Sequence, residues 1–267
     1  MAPILLGILN ITEDSFSDGN KYLAPQAAIA HGRALAEHAQ VLDIGAASSN
    51  PDSKAVPPEV EIARMVPVVA ALEGVAISVD SFAPAVQRWA MAQGVAYIND
   101  IQGFPFPDLY PELAASSAKL VVMHSVQGLG PATRVRVEPD ELYPRIVEFF
   151  GDRIAALTAA GVARERIVLD PGMGLFLGNH REASFAVLRR IADLKREFAL
   201  PVLVSVSRKS FLRRLVGREV AEIAPATLAA ELFAARAGAD YIRTHDPRAL
   251  KDALLVTETL ETGRNRA

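Results

Sequence analysis

The sequence predicts an α/β fold, a single-domain (β/α)8 TIM barrel, and three observations predict it. Eight short apolar, β-branched runs alternate with eight longer Ala-, Leu-, Arg- and Glu-rich stretches. The short runs are apolar on both faces, as buried parallel strands are. The 267 residues match one such barrel, which typically takes about 250. An open, doubly wound sheet is the alternative architecture.

The strand-like runs fall at 3–9, 41–45, 75–80, 95–100, 119–124, 166–170, 201–206 and 239–244. Helical patterns fill the intervals at 25–39, 58–72, 84–93, 108–117, 139–160, 182–198, 225–237 and 247–261, so 1–267 reads as one barrel domain. Pro25, Pro84 and Pro247 stand where first helical turns begin, the place where a missing N–H costs nothing. Gly94, Gly161 and Gly238 follow helical patterns, where a left-handed cap is cheap for glycine. The recurring AxxGV or AxAGAD there is a shared helix-to-strand turn and not a long-period repeat. The loosest stretch is 125–138, a strand-to-helix loop.

Composition narrows the function. Hydrophobic residues at 51% with charged ones at 22% allow a large core. A net charge of −3 gives no basic field, so neither nucleic acid nor an anionic membrane is an expected partner. The absence of Cys excludes thiolate metal sites and Cys nucleophiles. The opening MAPILLGILNITEDSF lacks a basic leader and reads as a first strand, not a signal peptide. No run reaches the roughly 20 apolar residues of a membrane span. A cytoplasmic enzyme is the expectation.

Polar residues gather at the C-terminal ends of the strand runs: Asn10, Asp43, Asp80, Asn99 with Asp100, His124, Asp170, Ser207 with Arg208 and Lys209, and Arg243 with His245. In a barrel these ends converge on the face where active sites are built. Charges half-buried there are costly unless paired or used. Asp80, Asn99 and Asp170 supply acceptors and an amide suited to the guanidine-like edge of a flat heterocycle. Lys209, Arg243 and His245 supply positive charge after the seventh and eighth strands, a frequent phosphate site of barrels. A ring binder beside an anion clamp implies a phosphorylated heterocyclic substrate.

Plainer roles compete at some positions. Asp43 either orients a loop or takes part directly, Asp100 reads as an N-cap, and His124 reads as a core histidine. His31 and His38 read as solvated helix residues. The 208–218 run is mostly a solvated helix face. Lys209 inside SRKS, next to Arg208, reads better as a ligand contact than as a Schiff-base nucleophile.

GILNITEDSFSDG (7–19), ISVDS (77–81), INDI (98–101), VVMH (121–124), DPGMG (170–174), SVSRKSF (205–211) and RTHD (243–246) occur in this order. Together they resemble the dihydropteroate synthase family, whose opening signature usually has Pro where this chain has Glu13. The resemblance implies a transferase. It would join 6-hydroxymethyl-7,8-dihydropterin diphosphate to p-aminobenzoate, releasing pyrophosphate, with Mg2+ as cofactor. It implies Asp80, Asn99, Asp170 and Lys209 as the pterin pocket. Asn10, Arg243 and His245 would form the pyrophosphate site, with Asn10 also near Mg2+. Asn10, Lys209, Arg243 and His245 would carry catalysis by charge stabilisation. Ser207, Pro51 and Phe104 would face p-aminobenzoate, and Phe16 lies in the first loop. The family also implies a homodimer through the last helices; Leu228, Leu232 and Phe233 suit core or interface equally.

Two segments depart from the usual family pattern. GAASSNPDSKAV (45–56) replaces a GGESTRPG-like loop, with Asn50 in place of Arg and Ser49 in place of Thr. Lys54 is a candidate for the missing charge. QGFPFPD (102–108) adds an aromatic, Pro-rich turn in which Phe104 and Pro105 either reach the site mouth or staple a helix. Both departures resemble the sulfonamide-insensitive branch of the family. The expectation is weak sulfonamide binding, with a protruding Phe104 excluding the bulkier drug. Competing readings are a pterin-dependent methyltransferase domain, a non-catalytic pterin-binding homologue and a barrel aldolase acting through Lys209.

Overall fold

The computed structural model describes residues 2–11, 24–48 and 52–263. Phe16, Ser49, Asn50 and Pro51 lie outside the described residues. The chain runs β1 (Ile4–Asn10), α1 (Ala24–Ala36), β2 (Val41–Gly45), α2 (Pro58–Ala71), β3 (Ala76–Asp80), α3 (Pro84–Ala92), β4 (Tyr97–Asp100) and α4 (Tyr110–Ala115). It continues through β5 (Lys119–Met123), α5 (Pro139–Ala159), β6 (Ile167–Asp170), α6 (Ala183–Leu188), α7 (Ile191–Phe198) and β7 (Leu203–Val204). It ends with α8 (Ser210–Val216), α9 (Ala224–Arg236), β8 (Tyr241–Thr244) and α10 (Pro247–Thr262).

All paired strands are parallel, in the order β6-β5-β4-β3-β2-β1-β8-β7. The last gap, β6 to β7, is spanned by a parallel bridge between Leu169 and Val202. The Leu169 N–H donates to the Pro201 carbonyl at 2.9 Å. The sheet therefore wraps into a nearly closed barrel, and the open-sheet alternative falls. β7 is shorter than its apolar run because Asp240 takes over part of the ladder. The Asp240 carboxylate accepts the Val202 N–H at 3.0 Å and is itself held by Lys195 at 2.6 Å.

Side chains alternate along each strand, and that period of two sorts the core into layers. Leu6, Val41, Tyr97, Val121, Val168, Leu203 and Tyr241 pack together as the barrel interior. The opposite parity, with Leu42, Ile44, Ile98, Leu120 and Leu169, packs against the helices in the main core. Truncating one such buried side chain to Ala costs about 2–5 kcal/mol. Two residues beyond the interior layer, the same inward face reaches Asp43, Asn99, Asp170 and Arg243. The fold thus delivers these four side chains to the C-terminal mouth of the barrel.

The helix signals hold with one exception. Pro84 and Pro247 begin α3 and α10. Gly94, Gly161 and Gly238 take φ of 68°, 97° and 93°, as a left-handed turn requires. The expected helix at 182–198 is instead α6 and α7. Arg190 leaves helical geometry at φ −108° and ψ 9°. Its guanidinium sits 3.8 Å from the centre of the Tyr143 ring on α5 and bonds to Asp193.

Candidate active site

Arg243 is the hub of the barrel mouth. Its Nε donates to Asp43 Oδ2 and its Nη2 donates to Asp80 Oδ2 at 2.6 Å. Asp43 is fully buried, Arg243 is 15% exposed and Asp80 21%, so the bridges are shielded from water. One guanidinium spans two carboxylates because its donors are arranged as a planar fork. Burial opposes the charge on Arg243, but Asp43 and Asp80 outweigh it and hold the side chain more firmly protonated. Asp43 is thus an ion-pair partner of Arg243 within the mouth. Its second oxygen, Oδ1, is buried without a partner.

Asp170 and Asn99 form the other wall. Asp170 is 3% exposed and its Oδ1 accepts the Gly172 N–H at 2.8 Å. Burial raises its pKa from 3.8 to about 6, against that hydrogen bond and the pull of Lys209 and Arg243. Burial likewise raises Asp80 to about 7, opposed first by Arg243. Asn99 is 3% exposed and its Oδ1 has no hydrogen-bond partner. A buried amide oxygen left unmatched costs free energy. It is an unmatched acceptor on the inward face of β4.

Lys209 enters from the turn after β7. Arg208 takes φ 58°, a costly conformation for a side chain of its size, and this kink directs the Lys209 side chain to the site. The aliphatic stem lies against Gly174, and Nζ is 5.3 Å from the centre of the Phe176 ring. Burial and then Arg243 lower the ammonium to about 8, against Asp170 and Asp80. Phe176 was not singled out in the sequence. It lies two residues beyond DPGMG (170–174), and that proximity was the available signal.

His245 and Ser207 are locked together. The Ser207 hydroxyl accepts the His245 backbone N–H at 3.1 Å and bonds Nδ1 at 2.9 Å. Ser207 therefore anchors His245. Burial, then Arg208 and Arg243, hold His245 down at about 3. The expectation of positive charge on His245 is corrected: it is neutral at pH 7 and offers a hydrogen bond. Asn10 is exposed at the end of β1, on the same rim.

Other expectations change as well. Asp100 is not an N-cap. It has the opposite strand parity to Asn99, so it points outward, where it accepts from Gln102 N at 2.7 Å, Phe104 N at 3.1 Å and Gln87 Nε2 at 2.8 Å. Those bonds hold Phe104 at φ 59°, while Tyr110 donates to its carbonyl at 2.9 Å. The Phe104 side chain is 1% exposed in the main core. A protruding Phe104 that excludes drugs is therefore wrong: the loop turns its ring inward, away from the mouth. His124 is a core histidine, packed 5.3 Å from Phe149 with Nδ1 3.3 Å from the Pro171 carbonyl.

The turn below Asp170 is sterically closed. A Cβ on Gly172, at φ 75°, would sit 2.4 Å from the His124 carbonyl oxygen. Gly172→Ala is expected to cost at least about 2 kcal/mol in urea unfolding. Gly94→Ala, at φ 68° with nothing within 4 Å, should cost only about 1 kcal/mol. Equal losses would show that backbone conformation alone, without the clash, sets the effect.

The described rim has hard oxygen donors but no group of three His, Cys, Asp or Glu side chains arranged to hold a metal ion. Mg2+ binds through few protein ligands and otherwise water or phosphate oxygens. The Asn10 amide fits one such protein ligand.

A planar ring with a guanidine-like edge and an anionic tail matches this mouth. Residues 6–245 match the family model described as pterin binding enzyme. The chain belongs to this family of pterin-binding enzymes. It is 57% identical to Dihydropteroate synthase type-2 of Escherichia coli over 267 residues, covering 98% of each chain. The dihydropteroate synthase of Xanthomonas albilineans, solved with 4-aminobenzoic acid, has a TM-score of 0.88 at 36% identity, over 97% of this chain and 93% of that one. The Anaplasma phagocytophilum enzyme, solved with bound 6-hydroxymethylpterin-monophosphate, has a TM-score of 0.86 at 32% identity, over 97% of this chain and all of that one.

Proposed function

We propose that the protein condenses 6-hydroxymethyl-7,8-dihydropterin diphosphate with p-aminobenzoate to 7,8-dihydropteroate and pyrophosphate. The observation that carries this is the inward face on which the unpartnered Asn99 Oδ1 stands with Asp170, beside the Arg243 hub. In this reading Asp170 and Asn99 take the N–H edge of the pterin, and Lys209 donates to its carbonyl side. Asp80 completes the ring pocket and Arg243 reaches from it towards the diphosphate, helped by His245 and Asn10.

The reaction breaks the bond from the pterin methylene to the diphosphate oxygen and forms a bond to the aryl nitrogen. The amine loses a proton to solvent. The arylamine is already neutral at pH 7, so positioning and charge stabilisation carry the acceleration. Arg243 stabilises the departing anion, with a hydrogen bond from His245, and the carboxylates favour the electron-poor pterin left behind. Mg2+, when bound with Asn10 as a protein ligand, supplies further positive charge to the diphosphate. Pro51 and Ser207 remain assigned to the p-aminobenzoate side by resemblance.

Mixing both substrates should release pyrophosphate and dihydropteroate. Pterin binding without turnover would instead identify a non-catalytic homologue. Because Asp170 and Asp80 must be ionised and Lys209 protonated, kcat/KM should follow a bell-shaped pH profile. It should fall below pH about 6 to 7, as these carboxylates protonate, and above pH about 8, as Lys209 loses its proton. Lys209→Arg should abolish the alkaline limb, and its persistence would assign that limb elsewhere.

Weak inhibition by sulfamethoxazole belongs to the same proposal. It rests on resemblance to the sulfonamide-insensitive branch, with Phe104 removed as its cause. Micromolar or tighter inhibition would overturn it. A cytoplasmic homodimer completes the reading. No described helix is long and apolar enough to cross a membrane. Phe233 on α9 and Val256 and Leu260 on α10 are 47%, 58% and 80% exposed, an apolar face suited to a second copy.

A further inference from the structure

Behind the Ser207–His245 anchor lies a cavity of about 450 Å3, on the side of the turn facing α9 and the start of α10. Ile223, Leu228 and Ala249 contribute apolar wall, and Ser207 and His245 line its other side. Glu231 of α9 also lines it. This side chain sits in an Ala- and Leu-rich helix, yet the residue is only 2% exposed. Its Oε1 has no hydrogen-bond partner. The Thr244 hydroxyl bonds to the carboxyl, and the charged neighbour acting on it is Asp246, another anion. Burial, against the Thr244 bond, pushes Glu231 up to about 7.

The two basic residues on the wall do not neutralise this carboxyl. Arg208 is solvent-exposed, and His245 is held neutral at pH 7. An isolated buried carboxylate is costly. An alanine or leucine would fit this helix without that cost. The volume falls within the range of small-molecule sites, and the apolar walls with one convergent polar group match their usual chemistry.

We infer that the cavity is a binding site for a small organic cation, a primary ammonium or amidinium on a compact apolar body, with Glu231 as its counter-ion. An amidinium meets a carboxylate with two parallel N–H donors, and its ring lies against Ile223 and Leu228. Negative potential from Asp246 favours the same sign of ligand. None of the ring-pocket carboxylates lines this cavity; it adjoins the proposed reaction site through Ser207 and His245, which line both.

Benzamidine is the probe, titrated calorimetrically into the full-length protein at pH 8, where Glu231 is ionised. Wild type should bind it, and Glu231→Gln should weaken binding at least about tenfold, the loss of one charge-assisted pair. Ala249→Phe, which fills the cavity from its half-buried wall, should abolish the same binding event and serves if the Glu231 variant does not fold. Failure of wild type to bind benzamidine, or binding unchanged in both variants, would overturn the assignment.

Discussion

Arg243→Ala is expected to destabilise the protein by about 3–5 kcal/mol and to lower kcat/KM by about 10³-fold or more. The variant leaves Asp43 and Asp80 facing each other without the guanidinium that now spans them. Asp43 has no exposure to water, so its charge cannot be solvated in place. With the cation gone, burial holds the Asp80 carboxyl protonated more readily in the folded state than in the unfolded chain. Stability must then fall as pH rises, because the unfolded chain releases the Asp80 proton first. The deficit should be larger at pH 8 than at pH 5 in urea unfolding. Arg243→Lys restores charge but not the two-pronged geometry and should recover only part of the loss. An Arg243→Ala protein as stable as wild type at pH 8 would show that the hub is not a folding element.

Asp170→Asn should move stability and activity in opposite directions. Burial lifts the Asp170 carboxyl from 3.8 to about 6. The folded protein therefore holds this proton more tightly than the unfolded chain. Its unfavourable contribution is absent below pH about 4, grows as pH rises, and is complete above about 6. The full span corresponds to about 3 kcal/mol. Asparagine keeps an oxygen for the Gly172 N–H but carries no charge, so the variant should be about 1–3 kcal/mol more stable at pH 8. The advantage should vanish by pH 4. The same change removes the anionic acceptor from the proposed pterin pocket, and kcat/KM should drop by at least about 10²-fold. A less stable, fully active variant would contradict both halves of the argument.

The pairing of cost and use at Asp170 also explains what the sequence could reveal. Strand ends carrying Asp43, Asn99, Asp170 and Arg243 were legible because each is a polar residue closing an apolar run; alternation along the strand is the rule that fixes which side chain faces inward. The same rule could have separated Asn99 from Asp100, which the sequence alone reads as an N-cap: Tyr97 and Asn99 share one parity, Asp100 the other. The burial of Phe104 was not legible. QGFPFPD looks like an exposed turn, and only the three bonds gathered by Asp100 turn the ring into the core.

The neutrality of His245 was hidden for a different reason. It depends on burial and on Arg208, Arg243 and Lys209 converging from distant positions. Glu231 was hidden by its helix, since a lone Glu among Ala and Leu reads as solvated until the packing of α9 is known. Composition and period reveal elements and facing; they do not reveal which charges meet.

A crystal structure of the protein with 6-hydroxymethylpterin monophosphate tests the central claim most directly. The account predicts the ring edge on Asp170 and Asn99, Lys209 at its carbonyl side, and the phosphate towards Arg243 and His245. A ring bound outside the barrel mouth, or inside it without contact to Asp170 and Asn99, would contradict the assignment of the site.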